Sequence, residues 1–228
     1  MWGNAVPDRA EQQELKRKAI IRAAAKVFSK RGSQGAKLDD VARQLGVSAA
    51  ALYRYVSNKN DLILACHEEA MEIADRALTE GTASGRNGLE KVQLSLRNYL
   101  IVMMAELGVP ALILEENVLE GPEAERIYAL RDDYERRLRG LIEEGRRDGS
   151  ILDLEPKVAV FTLLGAVHWT AKWYRETGVW NAWDVSDAII EIATRGLAAE
   201  PEKHLSATLN AARRKDARPT THPKEHSA

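Results

Sequence analysis

Cysteine is nearly absent from this chain: Cys66 is the only one in 228 residues, which excludes an internal disulfide framework. No apolar run approaches the roughly 20 residues needed to span a bilayer. Met1 to Ala10 also lacks the apolar core of a signal segment, so a cytoplasmic protein with no membrane partner is expected. Catalytic signatures are equally scarce. There is no GxSxG elbow and no phosphate-binding glycine loop. Cys66 and His67 are adjacent, so a helix points them about 100° apart, and no further Cys or paired His completes a metal site. Glu115, Glu116 and Glu120 share a helix face without a His at ligand spacing. The residues therefore call for no catalytic group, no metal and no cofactor, and Cys66 reads as a small buried filler.

Alternation of period two is missing as well, whereas helical periodicity recurs throughout, so the expected fold class is all-α. Net charge is only −1, but it is unevenly spread. Residues 1–64 hold 12 Lys and Arg against 6 Asp and Glu, residues 65–200 hold 15 against 25, and residues 201–228 hold 6 against 3. Of the two parts expected to fold, only the first has the charge to approach a polyanion. The division read from this pattern is an N-terminal part over 1–64, a larger helical part over 65–200, and a polar, basic, Pro-containing tail over 201–228 expected to lack fixed structure.

The spacing predicts a first helix over about Glu11 to Arg31, with Leu15, Ala19, Ile20, Ala23, Ala24, Val27 and Phe28 as its apolar stripe. A linking helix runs from Lys59 to about Glu80, followed by a turn-rich break over Gly81 to Gly88. Further helices are read over about Leu89 to Leu107, Pro122 to Arg147, Pro156 to Thr177 and Asp184 to Ala199, with a short apolar piece over Ala111 to Leu119. Val160, Phe161, Leu163, Leu164, Ala166, Val167 and Ala171 spread apolar surface over more than one face of the helix from Pro156. Val185, Ala188, Ile189, Ile192 and Leu197 add a stripe to the next. Such excess surface predicts a seam between two copies of the chain.

Leu38 to Ile63, LDDVARQLGVSAAALYRYVSNKNDLI, has the layout of a DNA reader. A short helix buries Leu38, Val41, Ala42 and Leu45, Gly46 ends it in a left-handed conformation, and Val47 plugs the turn. Ser48 caps a second helix, and Ala49 and Ala50 are small enough for close approach to a major groove. Tyr53, Arg54 and Tyr55 then reach outward. Lys59 stands at the next helix start, where a cation and free N–H groups can hold a phosphate.

On Phe28-Ser29-Lys30-Arg31-Gly32, Val41-Ala42, Gly46-Val47-Ser48, Leu52-Tyr53 and Asn58-Lys59 with Leu62, the chain resembles the TetR family of one-component transcriptional regulators. The resemblance covers about the first quarter closely. It implies a three-helix DNA-binding domain, a C-terminal ligand-binding and dimerisation domain, and a homodimer paired through its last two long helices. It also implies a repressor that binds a pseudo-palindromic double-stranded operator and is released by a small hydrophobic effector. Lys37 stands where the family usually has a capping Thr that touches phosphate; a lysine cannot cap in that way but can bind phosphate. Val56 replaces the usual Phe.

The segment from Gly165 to Arg175, with Trp169-Thr170 and Trp173-Tyr174-Arg175, resembles a subgroup that includes regulators of fatty-acid and steroid catabolism, several of which respond to acyl-coenzyme A. On that reading Leu96, Tyr99, Leu100, Met103 and Met104 line an acyl tunnel, with His168, Trp169 and Trp173 beside it. Arg146, Arg147, Lys172 and Arg175 are the cations for the phosphates. The same residues also read as bundle core and as solvated or ion-paired charge. A TetR-like activator, a dimeric scaffold that does not bind DNA, and an all-α enzyme using the sensor cavity stay open at this point.

Overall fold

The computed structural model describes residues 8–107, 119 and 121–200. Eight helices in chain order make up the described part: α1 (Arg9–Gly35), α2 (Leu38–Leu45), α3 (Ala49–Leu52), α4 (Lys59–Ser84), α5 (Gly88–Val102), α6 (Pro122–Asp148), α7 (Pro156–Trp173) and α8 (Ala182–Arg195). A π-helical turn, Met103–Leu107, extends α5. The fold is all-α. Its extended pairing among the described residues is one antiparallel bridge between Ile151 and Ala198, which ties the ends of α6 and α8 together. The predicted piece over Ala111 to Leu119, all but Leu119, lies outside the described residues, as do the acidic trio and the tail.

Local chemistry sets most boundaries. Asp8, Ser48, Asn58, Asn87 and Asn181 each accept a backbone N–H from the first turn of the helix they precede, as capping side chains do. Pro122 and Pro156 occupy the first turns of α6 and α7, where a missing N–H costs nothing. α7 stops at Trp173, short of the predicted Thr177, because Tyr174 turns extended while its N–H still reaches the Thr170 carbonyl at 2.9 Å.

Packing corrects two expectations. The predicted break at Gly81 is instead the interior of α4, which continues to Ser84. A Cβ at Gly81 would stand 2.3 Å from Ser95 Oγ and 2.4 Å from its backbone N, so the glycine brings α4 and α5 into backbone contact. At the other end Leu15 is 59% exposed and Ala19 is also exposed. The buried stripe of α1 begins only at Ile20. From there a continuous core runs from Phe28, Val41 and Leu62 through Ile73, Leu96 and Leu100 to Leu163 and Ile190. Cys66 is part of it, 1% exposed.

Candidate DNA interface and ligand cavity

The α2–α3 corner is built largely as its sequence requires. Leu38, Val41 and Ala42 are buried and Leu45 partly so. Gly46 has φ +69° and ψ 28°, the left-handed conformation that a side chain would strain. Val47 does not plug the turn: it is 45% exposed. The Ser48 hydroxyl accepts from Ala51 N at 3.2 Å. α3 is regular only to Leu52, and its last turn tightens as Tyr55 N bonds the Leu52 carbonyl at 2.9 Å. Ala50, Tyr53, Arg54 and Tyr55 all face solvent and Ala49 is half-buried.

Around this corner the charges are arranged to free one face. Lys37 is exposed and makes no side-chain cap; the cap role passes to Asp40, whose carboxylate accepts from Lys37 N at 3.1 Å. Asp40 also pairs with Arg31 and Arg43, both at 2.8 Å, clamping the end of α1 to α2. The Lys37 backbone N–H, with Arg43 and Arg31, holds the Asp40 carboxyl below the usual carboxylate range despite opposing burial. Lys59 is half-buried, and its Nζ donates to the Ser33 carbonyl at 3.0 Å. That leaves two of its three ammonium donors for another acceptor.

The sensor half holds a cavity of about 480 Å³ between α4, α5, α6 and α7. Ala70, Met71 and Ala74 of α4 and Phe161 and Leu164 of α7 supply apolar wall, while His67, Tyr99, Arg131, Asp132, Tyr134, Glu135, Lys157 and His168 supply polar and charged groups. Of the predicted ligand residues, the structure brings Tyr99 and His168 to this cavity, where Tyr99 Oη lies 3.4 Å from His168 Nε2. Leu96, Leu100, Met103 and Met104 are buried in the continuous core and do not line it. Trp169 and Trp173 are on the outside of α7, 61% and 43% exposed, in neither the core nor the cavity. Arg146 pairs with Asp153 near the start of α7, whereas Lys172 and Arg175 are at its other end. Those two pairs of cations are separated by the length of α7, about 27 Å, and do not converge on one phosphate.

Six polar or charged cavity residues escaped the sequence reading as ligand groups: His67, Arg131, Asp132, Tyr134, Glu135 and Lys157. The signal was there in the register. His67 continues the α4 series Ile63, Ala70, Ala74 and Ala77, and Arg131 interrupts the α6 series Ile127, Tyr134, Leu138 and Leu141, all buried positions. Arg131 Nη2 lies 2.9 Å from His67 Nδ1. Burial, and secondarily Arg131, lowers the pKa of both His67 and His168 to about 4, so both rings are neutral at physiological pH. A second depression, between α4 and α6, is lined by charges that answer one another, Arg126 with Glu68 and Arg137 with Asp75.

Two family models match the chain: that of bacterial regulatory proteins of the tetR family over residues 20–66, and that of the tetracyclin repressor-like C-terminal domain over residues 85–197. The chain belongs to the TetR family. The α2–α3 corner lies within the first match, and the α5, α6 and α7 walls of the cavity lie within the second, while its α4 wall lies outside it. A fatty acid metabolism regulator protein of Bacillus subtilis (strain 168) is 23% identical over 192 residues, spanning 82% of this chain and 98% of the relative. AibR, solved in complex with isovaleryl coenzyme A and operator DNA, shares the fold with a TM-score of 0.65 at 22% identity, over 77% of this chain and 96% of that one. FadR from Bacillus subtilis, solved in complex with stearoyl-CoA, shares it with a TM-score of 0.58 at 22% identity, over 78% and 97%. As the first family match shows, the chain is a DNA-binding transcriptional regulator with a helix-turn-helix.

Proposed function

We propose that this regulator is a cytoplasmic homodimeric repressor whose operator binding is released by a hydrophobic effector bound in the cavity between α4 and α7. The exposure of Tyr53, Arg54 and Tyr55 beside the Gly46 turn carries the reading. In this mechanism Arg54 reads base edges, while Tyr53, Lys37 and Lys59 hold phosphates. Two readers bind half-sites of a pseudo-palindrome about one DNA turn, roughly 34–36 Å, apart.

The dimer seam is assigned to α7 and α8. Val158, Phe161 and Trp169 of α7 are 62%, 55% and 61% exposed, and Ile192 of α8 is 73% exposed. They follow helical spacing and form the kind of apolar stripe that a partner covers. α4 joins the two functions, since it begins at Lys59 behind the reader and lines the cavity with His67, Ala70, Met71 and Ala74. Effector shifts the equilibrium only as far as it binds the DNA-incompetent arrangement more tightly. The relatives solved with isovaleryl coenzyme A and stearoyl-CoA support acyl-coenzyme A thioesters as the effector class.

The test is binding of the purified protein to its own upstream intergenic DNA at fixed salt, with and without acyl-coenzyme A thioesters. Tight, specific binding that a thioester releases supports both halves of the reading. Binding that no thioester alters removes that effector class, and absence of specific binding removes the repressor.

A further inference from the structure

Arg131 is a cation for which the described residues supply no paired anion. It stands at a core-register position of α6, half-buried, and its contacts are the neutral His67 ring and the face of Tyr128, 5.8 Å from the guanidinium carbon. Among the described residues no carboxylate pairs with it. Desolvation therefore acts on Arg131 uncompensated and lowers its pKa, with only Tyr128 and Tyr99 opposing. The acid one helical turn away, Glu135, lines the cavity with Asp132; its Oε2 is paired with Arg139 at 3.2 Å, while its buried Oε1 has no partner among the described residues.

Among the described residues three further cavity-lining groups carry a buried polar atom without a partner, the acceptor Glu135 Oε1 and two that can donate, on His67 and Tyr134. An arginine can only donate, so His67 Nδ1 is the acceptor of the Arg131 bond and the ring proton sits on Nε2. That Nε2–H is buried with no acceptor, on a residue only 3% exposed. Tyr134 Oη is also unpaired, on a residue 8% exposed. Unsatisfied buried polar groups are uncommon because each costs about 1–3 kcal/mol, and here they line the same cavity as the uncompensated guanidinium.

We propose that Arg131, His67 and Tyr134 form an anchor for a carboxylate, so that the effector is an apolar molecule ending in a free carboxylate. The guanidinium supplies charge, the His67 Nε2–H and the Tyr134 hydroxyl supply directed donors, and Ala70, Met71, Ala74, Phe161 and Leu164 receive the apolar body. The inference rests on the reading of this cavity as the effector site. Its source is either a free monocarboxylic acid or the distal carboxylate of a dicarboxylic acid esterified to coenzyme A; both present the same group to the anchor.

Calorimetric titration of the full chain with octanoate, octanamide, octanoyl-coenzyme A and suberoyl-coenzyme A tests this, alongside operator release by the same four. At least one carboxylate probe, octanoate or suberoyl-coenzyme A, should bind about tenfold or more tightly than its uncharged counterpart, as expected for a hydrogen-bonded charged group. Which of the two does so identifies the source. Arg131→Gln should abolish the preference while retaining operator binding, and His67→Phe should reduce it. Equal binding of acid and amide together with equal binding of the two thioesters overturns the anchor, as does an acid preference that survives in Arg131→Gln. Should Arg131→Gln fail to fold, the wild-type comparison of acid with amide decides. Release of DNA by octanoyl-coenzyme A with no binding of either carboxylate probe overturns the anchor and leaves the repressor reading standing.

Discussion

Arg97 Nε donates to Asp187 Oδ1 at 2.6 Å, joining α5 to α8 through a pair whose side chains are 1% and 0% exposed. Removing one partner leaves the other charge buried without its ion pair, which costs far more than the pair itself contributes. Asp187→Ala should therefore lower unfolding free energy by about 3–5 kcal/mol in urea melts. Replacing both residues with apolar ones of similar volume should recover much of that loss.

Arg54 and Lys37 should separate in their effects on DNA. Arg54→Ala should weaken operator binding by about 1–3 kcal/mol and relax base preference at one position of each half-site. Lys37→Ala touches an exposed side chain and should weaken all sequences alike, lowering the salt slope by about one per bound site. Anisotropy titrations on operator and scrambled DNA at several salt concentrations check both. Equal losses on both DNAs for Arg54→Ala would remove its role in base readout.

Trp169→Glu places a charge in the exposed apolar stripe of α7, where Trp169 is 61% exposed, and should shift the protein from dimer to monomer. Light scattering coupled to size exclusion reads the mass directly. Circular dichroism should stay unchanged, because no core contact is lost.

Acid should loosen the cavity before it unfolds the protein. The folded-state pKa values of His67 and His168, about 4, lie below the ordinary histidine value of 6.5. The unfolded chain therefore binds more protons between those values, and stability falls as pH drops from about 6.5 to about 4. Above that window the contribution is fully present. The summed loss should be on the order of a few kcal/mol, and His67→Asn should flatten the pH dependence of the melting temperature.

Gly81→Ala should destabilise well beyond a normal surface change. The added methyl meets backbone atoms of Ser95, which cannot rotate away, so the helices must part. A cost of about 1–3 kcal/mol or more is expected, the range for an overpacked core. A melting temperature matching wild type would show that α4 and α5 can separate freely.

The reader was legible because its determinants are contiguous. Gly46, Ser48 and the Tyr53 to Tyr55 segment encode turn, cap and exposed face within a few residues of one another, and the structure realises each locally. Val47 differs because its exposure depends on what else reaches the turn. The cavity was much less legible, since His67 and Arg131 are 64 positions apart and meet only through packing of α4 on α6. Trp169 and Trp173 show the same limit from the other side. Four-residue spacing put them on one face, but nothing in that spacing distinguishes a face turned to the core from one turned outward.

On the proposed effector-release reading, the backbone contact between Gly81 and Ser95 would serve as a fulcrum near the far end of α4. His67 lies about 20 Å from that point along the helix and Lys59 about 33 Å, at a rise of about 1.5 Å per residue. A sideways push delivered at His67 therefore reaches the reader enlarged by about one half. In the proposed dimer, a displacement of helix α4 too small to open the sensor half would in this way alter the distance between the two recognition surfaces.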